Sequence, residues 1–309
     1  MSILITGADG FLGGKIIKKV LEGTDFDVIG LTRSMDYIEA MLERENITQR
    51  KRLIFLANDD FLKLESMDWR IDGVVHLAFS RRMKPAADIA SSILFAANIF
   101  HKLIDCGADC VINMSSQGIY GNTGEIRTEF TTPAPANQYT MAKYAAEVLL
   151  NDIMQNCPRH TNLRLDLVAQ SQNVLKGLCK SAKEGKLVLR GGKQVFSFID
   201  AEDVSDAVIA MLKTNGDWDK AYNVGWNRKR YTIVELADSV ADAAEKCGYK
   251  RPEIEITEDD TALWAGMDST KFMEKTGWKP RINLEDTLIG MLNGEDMDRK
   301  TRRKSIRVL

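Results

Sequence analysis

Histidine and cysteine are scarce in this chain, and their scarcity removes whole classes of chemistry. Only His76, His101 and His160 occur in 309 residues, with no HExxH-type pairing, so no catalytic metal is expected. The five cysteines, Cys106, Cys110, Cys157, Cys179 and Cys247, are odd in number and form no CxxC pair. That argues against a disulfide framework or a structural zinc site and fits a reducing cytosol, hence a cytoplasmic setting. The spacing of Cys106 and Cys110 reads as buried packing, because Gly107 and the strand-like run from Val111 interrupt a helix that could align the thiols. Neither charge is in surplus: 42 Lys and Arg stand against 44 Asp and Glu, so there is no overall basic field for nucleic acid or an anionic membrane. No apolar run approaches bilayer-spanning length, and Met1 to Thr6 carry no basic segment leading into an apolar one, so neither a membrane span nor a secretory leader is expected. The exception to even charge is the tail, where Arg299, Lys300, Arg302, Arg303, Lys304 and Arg307 crowd together; it reads as a solvated terminus.

What is present is ordinary globular material, 44% hydrophobic and 28% charged, enough for one large α/β domain or two unequal lobes. Short β-rich runs at Ile3 to Thr6, Val28 to Thr32, Leu53 to Ala57, Val74 to Ala78 and Val111 to Met114 alternate with helical patterns. The helices are expected at Phe11 to Glu22, Met35 to Glu45, Ala87 to Cys106 and Tyr139 to Asn156, the signature of βαβ units wound into a parallel sheet. Past residue 165 the alternation loosens. Helices are expected at Asn173 to Lys183, Glu202 to Leu212, Ile233 to Lys246, Ser269 to Thr276 and Leu284 to Leu292, with strands near Leu187 and Val195 and at Ala221 to Val224. The division expected is a dinucleotide-binding α/β domain over 1–165 and a smaller, interleaved, mostly substrate-binding lobe over 166–309, with about 195–225 returning to the first domain. The helix around 87–106 is apolar on most of its circumference; with the helix at 139–156 it is a candidate homodimer interface, burial within one chain being the equal alternative.

The first strand runs straight into Gly7-Ala8-Asp9-Gly10-Phe11-Leu12-Gly13, a GxxGxxG that opens a helix. Gly7 can make the tight turn, Gly10 lets a pyrophosphate approach the backbone, and Gly13 permits close helix-on-strand packing, while the helix N-terminus offers N–H groups and positive potential. The end of the second strand reads Thr32-Arg33-Ser34, with no carboxylate for a ribose; Arg33 and Ser34 suit a 2'-phosphate, so NADP(H) is favoured, with NAD(H) the alternative if Arg33 is only a surface residue.

Tyr139 and Lys143 lie four residues apart on an expected helix, so they share one face. A neighbouring ammonium stabilises a phenolate and draws its pKa down from near 10, letting the phenol shuttle a proton as hydride moves to or from a nicotinamide. With these residues in order, the chain resembles an extended short-chain dehydrogenase/reductase of the NAD-dependent epimerase/dehydratase family, over nearly its whole length. Besides the glycines, Tyr139 and Lys143, the resemblance rests on His76-Leu77-Ala78, Asn98, Ser115-Ser116, Tyr120-Gly121, Phe198-Ile199-Asp200-Ala201-Glu202-Asp203-Val204, Tyr222-Asn223-Val224-Gly225 and Gly277-Trp278-Lys279-Pro280. It implies a Rossmann-type doubly wound sheet, with coenzyme contacts from Gly7, Asp9, Gly10, Phe11, Leu12, Gly13, Leu77, Ala78 and Asn98. It also implies that Ser116 hydrogen-bonds the reacting substrate oxygen beside Tyr139, that Lys143 holds the nicotinamide ribose, and that Asp59 contacts adenine.

Departures from the family pattern narrow the reaction. Dehydratases carry an Asp-Glu pair after the hydroxyl residue where this chain has Gln117 and Gly118, and no Cys/His pair stands where bifunctional epimerase-reductases have one. Hydride and one proton remain to be moved: reduction, oxidation or 4-epimerisation of a keto/hydroxy carbon, on a small-molecule substrate that the resemblance makes a nucleotide-linked sugar. Where the family has an asparagine after the sixth strand this chain reads Leu163-Arg164-Leu165-Asp166-Leu167-Val168, and Phe196 stands where an arginine neutralises the diphosphate; both anchors are replaced, so either Lys193, Arg190 or Arg228 substitutes or the substrate has no diphosphate. A reductase of a non-sugar ketone or aldehyde, or a non-catalytic NADP(H)-sensing regulator, are the alternatives.

Overall fold

The structure is a computed structural model and describes residues 1–64, 70–80, 82–191, 194–227, 229–257 and 263–294. The first half alternates strand and helix: β1 (Ser2–Thr6), α1 (Phe11–Gly23), β2 (Asp27–Thr32), α2 (Ile38–Arg44), β3 (Leu53–Ala57), α3 (Asn58–Lys63), β4 (Gly73–His76), α4 (Ala86–Asp105), β5 (Cys110–Ser116), α5 (Gln138–Ile153) and β6 (His160–Leu165). With Ala221–Val224 these strands form one seven-stranded sheet, all pairs parallel, in the order Ala221–Val224, β6, β5, β4, β1, β2, β3. This is the expected Rossmann-type architecture.

The sheet has both faces covered, which is why β1 is apolar at consecutive positions. Ile3 and Ile5 face a core built with α1 and the helix Ala201–Lys213, while Leu4 faces the opposite core with Ile99, Phe100 and Leu103 of α4 and Ala146 and Leu150 of α5. Strand order reverses between β1 and β4, opening a crevice at the carboxyl ends of the strands, where open α/β sheets bind ligands. The glycine turn sits at that switch point.

A separate apolar cluster supports the smaller lobe, joining Leu175 and Leu178 of the helix Asn173–Lys183, Leu187 and Leu189, Leu236 and Val240 of the helix Ile233–Lys246, and Leu288. The helix Ala201–Lys213 and the strand Ala221–Val224 return to the large sheet's core, and so do Phe272 and Trp278 from much later in the chain.

Several expectations change. Met35 to Tyr37 form a 3-10 turn before α2, because Ser34 caps that turn and not the helix. α3 was unexpected, its six residues being too short for a periodic signal, as was Glu253–Thr257, which pairs with Lys186–Arg190. α4 is twenty residues long and, contrary to the sequence reading, long and apolar enough by composition to cross a membrane; here its apolar face packs on the sheet and on α5. The basic tail lies outside the described residues.

Candidate functional site

β1 hands the chain to Gly7, whose φ of +66° favours glycine. A Cβ there would lie 3.1 Å from the backbone of Ala78, and one at Gly13 would lie 2.3 Å from the Gly7 carbonyl oxygen, so the turn has room for backbone alone. Gly10 caps α1 without a side-chain hydrogen bond, and no acidic residue occupies the first turn that Phe11 and Leu12 begin, which leaves the helix's positive end for an anion. Asp9 is half-buried within the turn, and the Arg44 guanidinium braces it by donating to the Gly10 carbonyl at 3.0 Å. These features fit a dinucleotide pyrophosphate.

The same turn is tied to the end of β4 through Thr6, which sequence reasoning passed over. Its hydroxyl oxygen accepts the Leu77 and Ala78 N–H groups at 3.1 and 3.0 Å, leaving its proton to donate to His76 Nδ1 at 3.0 Å. Burial, with Lys143 nearby, pushes His76 down to about 3, so the ring is neutral. Leu77 and Ala78 therefore lie in the crevice beside Gly7.

At the crevice's other flank Arg33 is exposed just beyond β2. Ser34 is already engaged: its hydroxyl caps the Met35–Tyr37 turn and donates to the Asp36 carboxylate at 2.9 Å, which sets a negative charge beside the place proposed for a phosphate. Asp59 is exposed on α3, whereas Asn58 is buried with its Oδ1 unpartnered, so the register shifts by one and Asn58 is the inward group. Asn98 is likewise exposed, on the face of α4 turned from the sheet; Ser92, buried, accepts the Ser80 N–H at 2.9 Å and with Asp88 ties α4 to the segment after β4. The helical period explains this, since 92, 96, 99 and 103 share the buried face and 98 does not.

α5 is started by a capping box, Asn137 with Thr140, which sets Tyr139 and Lys143 on its inward side. Ser116 caps the 3-10 turn Gln117–Tyr120, and a Cβ at Gly118 would lie 2.7 Å from Thr140 Cγ2 and 3.4 Å from Ser116 Oγ, so glycine brings the serine against the first turn of α5. Ser116, Tyr139 and Lys143 are thus gathered at one place. The expected electrostatic pairing differs, however. Burial raises the Tyr139 phenol, and the buried Lys143 ammonium donates to the Met114 carbonyl at 2.7 Å and lies 4.2 Å from the centre of the Phe79 ring, whose edge-to-face partner at 6.0 Å is Tyr139. Burial also pushes Lys143 down to about 7, against the opposing pull of Glu147.

Glu147 continues the line of Tyr139 and Lys143 by another turn. Both its oxygens are held by the buried Arg164, which also donates to Tyr120 Oη at 2.9 Å. Glu147→Gln leaves that guanidinium buried without its counter-charge and is expected to lower stability by about 3 kcal/mol, read as a lower urea midpoint; an unchanged midpoint would count against the pair's importance.

Gln117 is buried and committed at both ends, donating to Asp166 at 2.6 Å and accepting from Arg127 at 2.7 Å. Arg127 also donates to the Gly121 and Trp264 carbonyls, tying the Ser116 turn to the smaller lobe. Burial pushes the Asp166 carboxyl up to about 6. Of the candidate diphosphate cations, Phe196 is core, stacked on Phe198 at 5.9 Å; Arg190 is exposed; Lys193 and Arg228 lie outside the described residues. Among the described residues no group of three or more His, Cys, Asp or Glu converges to hold a metal ion.

The model of the NAD dependent epimerase/dehydratase family matches residues 3–225. The chain is 23% identical over 316 residues to dTDP-D-glucose 4,6-dehydratase of Mus musculus, covering 92% of this chain and 85% of that protein. It is 24% identical over 293 residues to GDP-6-deoxy-D-talose 4-dehydrogenase of Aggregatibacter actinomycetemcomitans, covering 90% and 92%. Among solved structures, UDP-glucuronic acid 4-epimerase from Bacillus cereus, in complex with UDP-glucuronic acid and NAD, superposes with a TM-score of 0.80 at 19% identity, covering 96% of this chain and 99% of that one.

Proposed function

The chain belongs to the NAD dependent epimerase/dehydratase family, and from that premise we propose that it is a nucleotide-sugar-modifying oxidoreductase that reduces or epimerises a keto/hydroxy carbon. The observation that carries this reading is the half-buried phenol and the buried ammonium one turn apart on α5, beside Ser116 and at the carboxyl ends of the strands. A nicotinamide ring, when bound, accepts or supplies the hydride. Tyr139 takes the hydroxyl proton during oxidation and returns it during reduction, Ser116 hydrogen-bonds the same oxygen, and Lys143 supplies positive charge and holds the nicotinamide ribose. Gln117, an amide locked between Asp166 and Arg127, offers no ionisable group for eliminating water, which favours reduction or epimerisation over dehydration.

The relay also argues against a coenzyme sensor, which has no use for one. The relatives' printed substrates support a nucleotide-linked sugar; the core position of Phe196 favours instead a ketone or aldehyde without a diphosphate. Calorimetric titration with NADPH, NADH, UDP and dTDP separates these readings: coenzyme binding together with UDP or dTDP binding supports the first, and coenzyme binding alone supports the second. Binding of neither coenzyme overturns the oxidoreductase reading.

Arg33 supports NADP(H), with Asp36 opposing. Arg33→Asp is expected to weaken NADPH relative to NADH by about tenfold or more, through loss of a charge-assisted contact; an unchanged ratio of dissociation constants sinks the phosphate assignment. Exposed Leu94 and Ile104 on α4 and Met141 and Val148 on α5 support pairing of two copies through these helices, and the five unpaired thiols support a cytoplasmic setting.

A further inference from the structure

Lys143 lies among groups that pull its charge in different directions. On its own helix are Tyr139 and Glu147, the latter neutralised by Arg164 of β6; His76 approaches from β4 and is neutral; β5 brings the Met114 carbonyl, which accepts from the ammonium, and the uncharged Ser116. A further neighbour is Phe79, whose ring presents its face to the ammonium at 4.2 Å and meets the Tyr139 ring at 6.0 Å and 85°.

The ring is not placed there by chance collapse of a loose loop. The segment before it is pinned to β1 by the two N–H bonds to Thr6, and the residue after it is pinned to α4, Ser80 donating its N–H to Ser92 and its hydroxyl to the Asp88 carbonyl. Between two anchors one residue apart, Phe79 has little freedom to go elsewhere. A ring face within about 6 Å attracts a cation, most strongly where water is excluded.

We propose that Phe79 is a positioning residue that holds the Lys143 ammonium charged and in place through its ring face. It acts on the relay through Lys143 and touches no reacting atom. The inference rests on the reading of Lys143 as part of the proton relay, but the charge of Lys143 can be measured without turnover.

The test is an NMR pH titration of the whole protein with 13Cε-labelled lysine and no added coenzyme, Lys143 being identified by the signal that Lys143→Arg removes. Phe79→Leu keeps the apolar bulk and removes the ring, so the Lys143 midpoint is expected to fall by about one pH unit, with loss of the ring-current shift of its ε-methylene. Phe79→Tyr keeps the face and should retain both. A midpoint in Phe79→Leu that is unchanged or raised overturns the proposal, as does loss of the shift in both variants alike. If the midpoint falls as expected but the protein neither binds coenzyme nor turns over substrate, the electrostatic inference stands and the proposed function fails, so the two are distinguishable.

Discussion

Tyr139→Phe is expected to lower turnover by about three orders of magnitude while leaving coenzyme affinity within about twofold of the parent. The substitution removes one oxygen from a ring that remains packed edge-to-face on Phe79, so the crevice keeps its shape and only proton transfer is lost. The half-buried phenol is raised by desolvation, which makes its ionised form scarce. Single-turnover rates with either nicotinamide coenzyme, beside calorimetric affinities, separate the two effects. A variant that retains parental rates would show that another group moves the proton.

Lys143→Met is expected to act in opposite directions on activity and stability. Turnover should fall by about two orders of magnitude or more, because the relay loses the charge that stabilises a phenolate. Stability should rise by roughly 2 kcal/mol at pH 6, because a buried ammonium is exchanged for an apolar side chain of similar length. The sign with pH follows from the folded value near 7 against an ordinary lysine near 10.5. Below 7 both folded and unfolded chains carry the proton, and the folded state bears the full desolvation penalty. Between 7 and 10.5 the folded state releases a proton that the unfolded chain still binds, so the parent gains stability as pH rises and the variant's advantage shrinks. Urea unfolding at pH 6 and pH 9.5 checks this; a variant less stable than the parent at pH 6 contradicts the desolvation argument.

Much of this was legible before the fold was seen, and the places where reading failed share a cause. The glycine turn was readable because each glycine answers a local steric need, as Gly7 does with its positive φ and its approach to Ala78. Tyr139 and Lys143 were readable as a pair because the helix period puts them on one face, and Ser116 joined them through the family resemblance. For Asp59 and Asn98 the motif match did not say which way the side chain faces: both are exposed, because one residue along a helix turns a side chain from the buried face to solvent.

By itself, then, the sequence determined the alternation of strand and helix, the glycine turn and the family's ordered motifs, since all follow from local patterns of backbone and apolar burial. Only the tertiary structure decided the electrostatics. Phe79 against Lys143, Arg164 on Glu147, and Arg127 through Gln117 to Asp166 join residues far apart along the chain. Charges in a desolvated interior answer to whatever packing brings beside them, and sequence spacing does not record that distance.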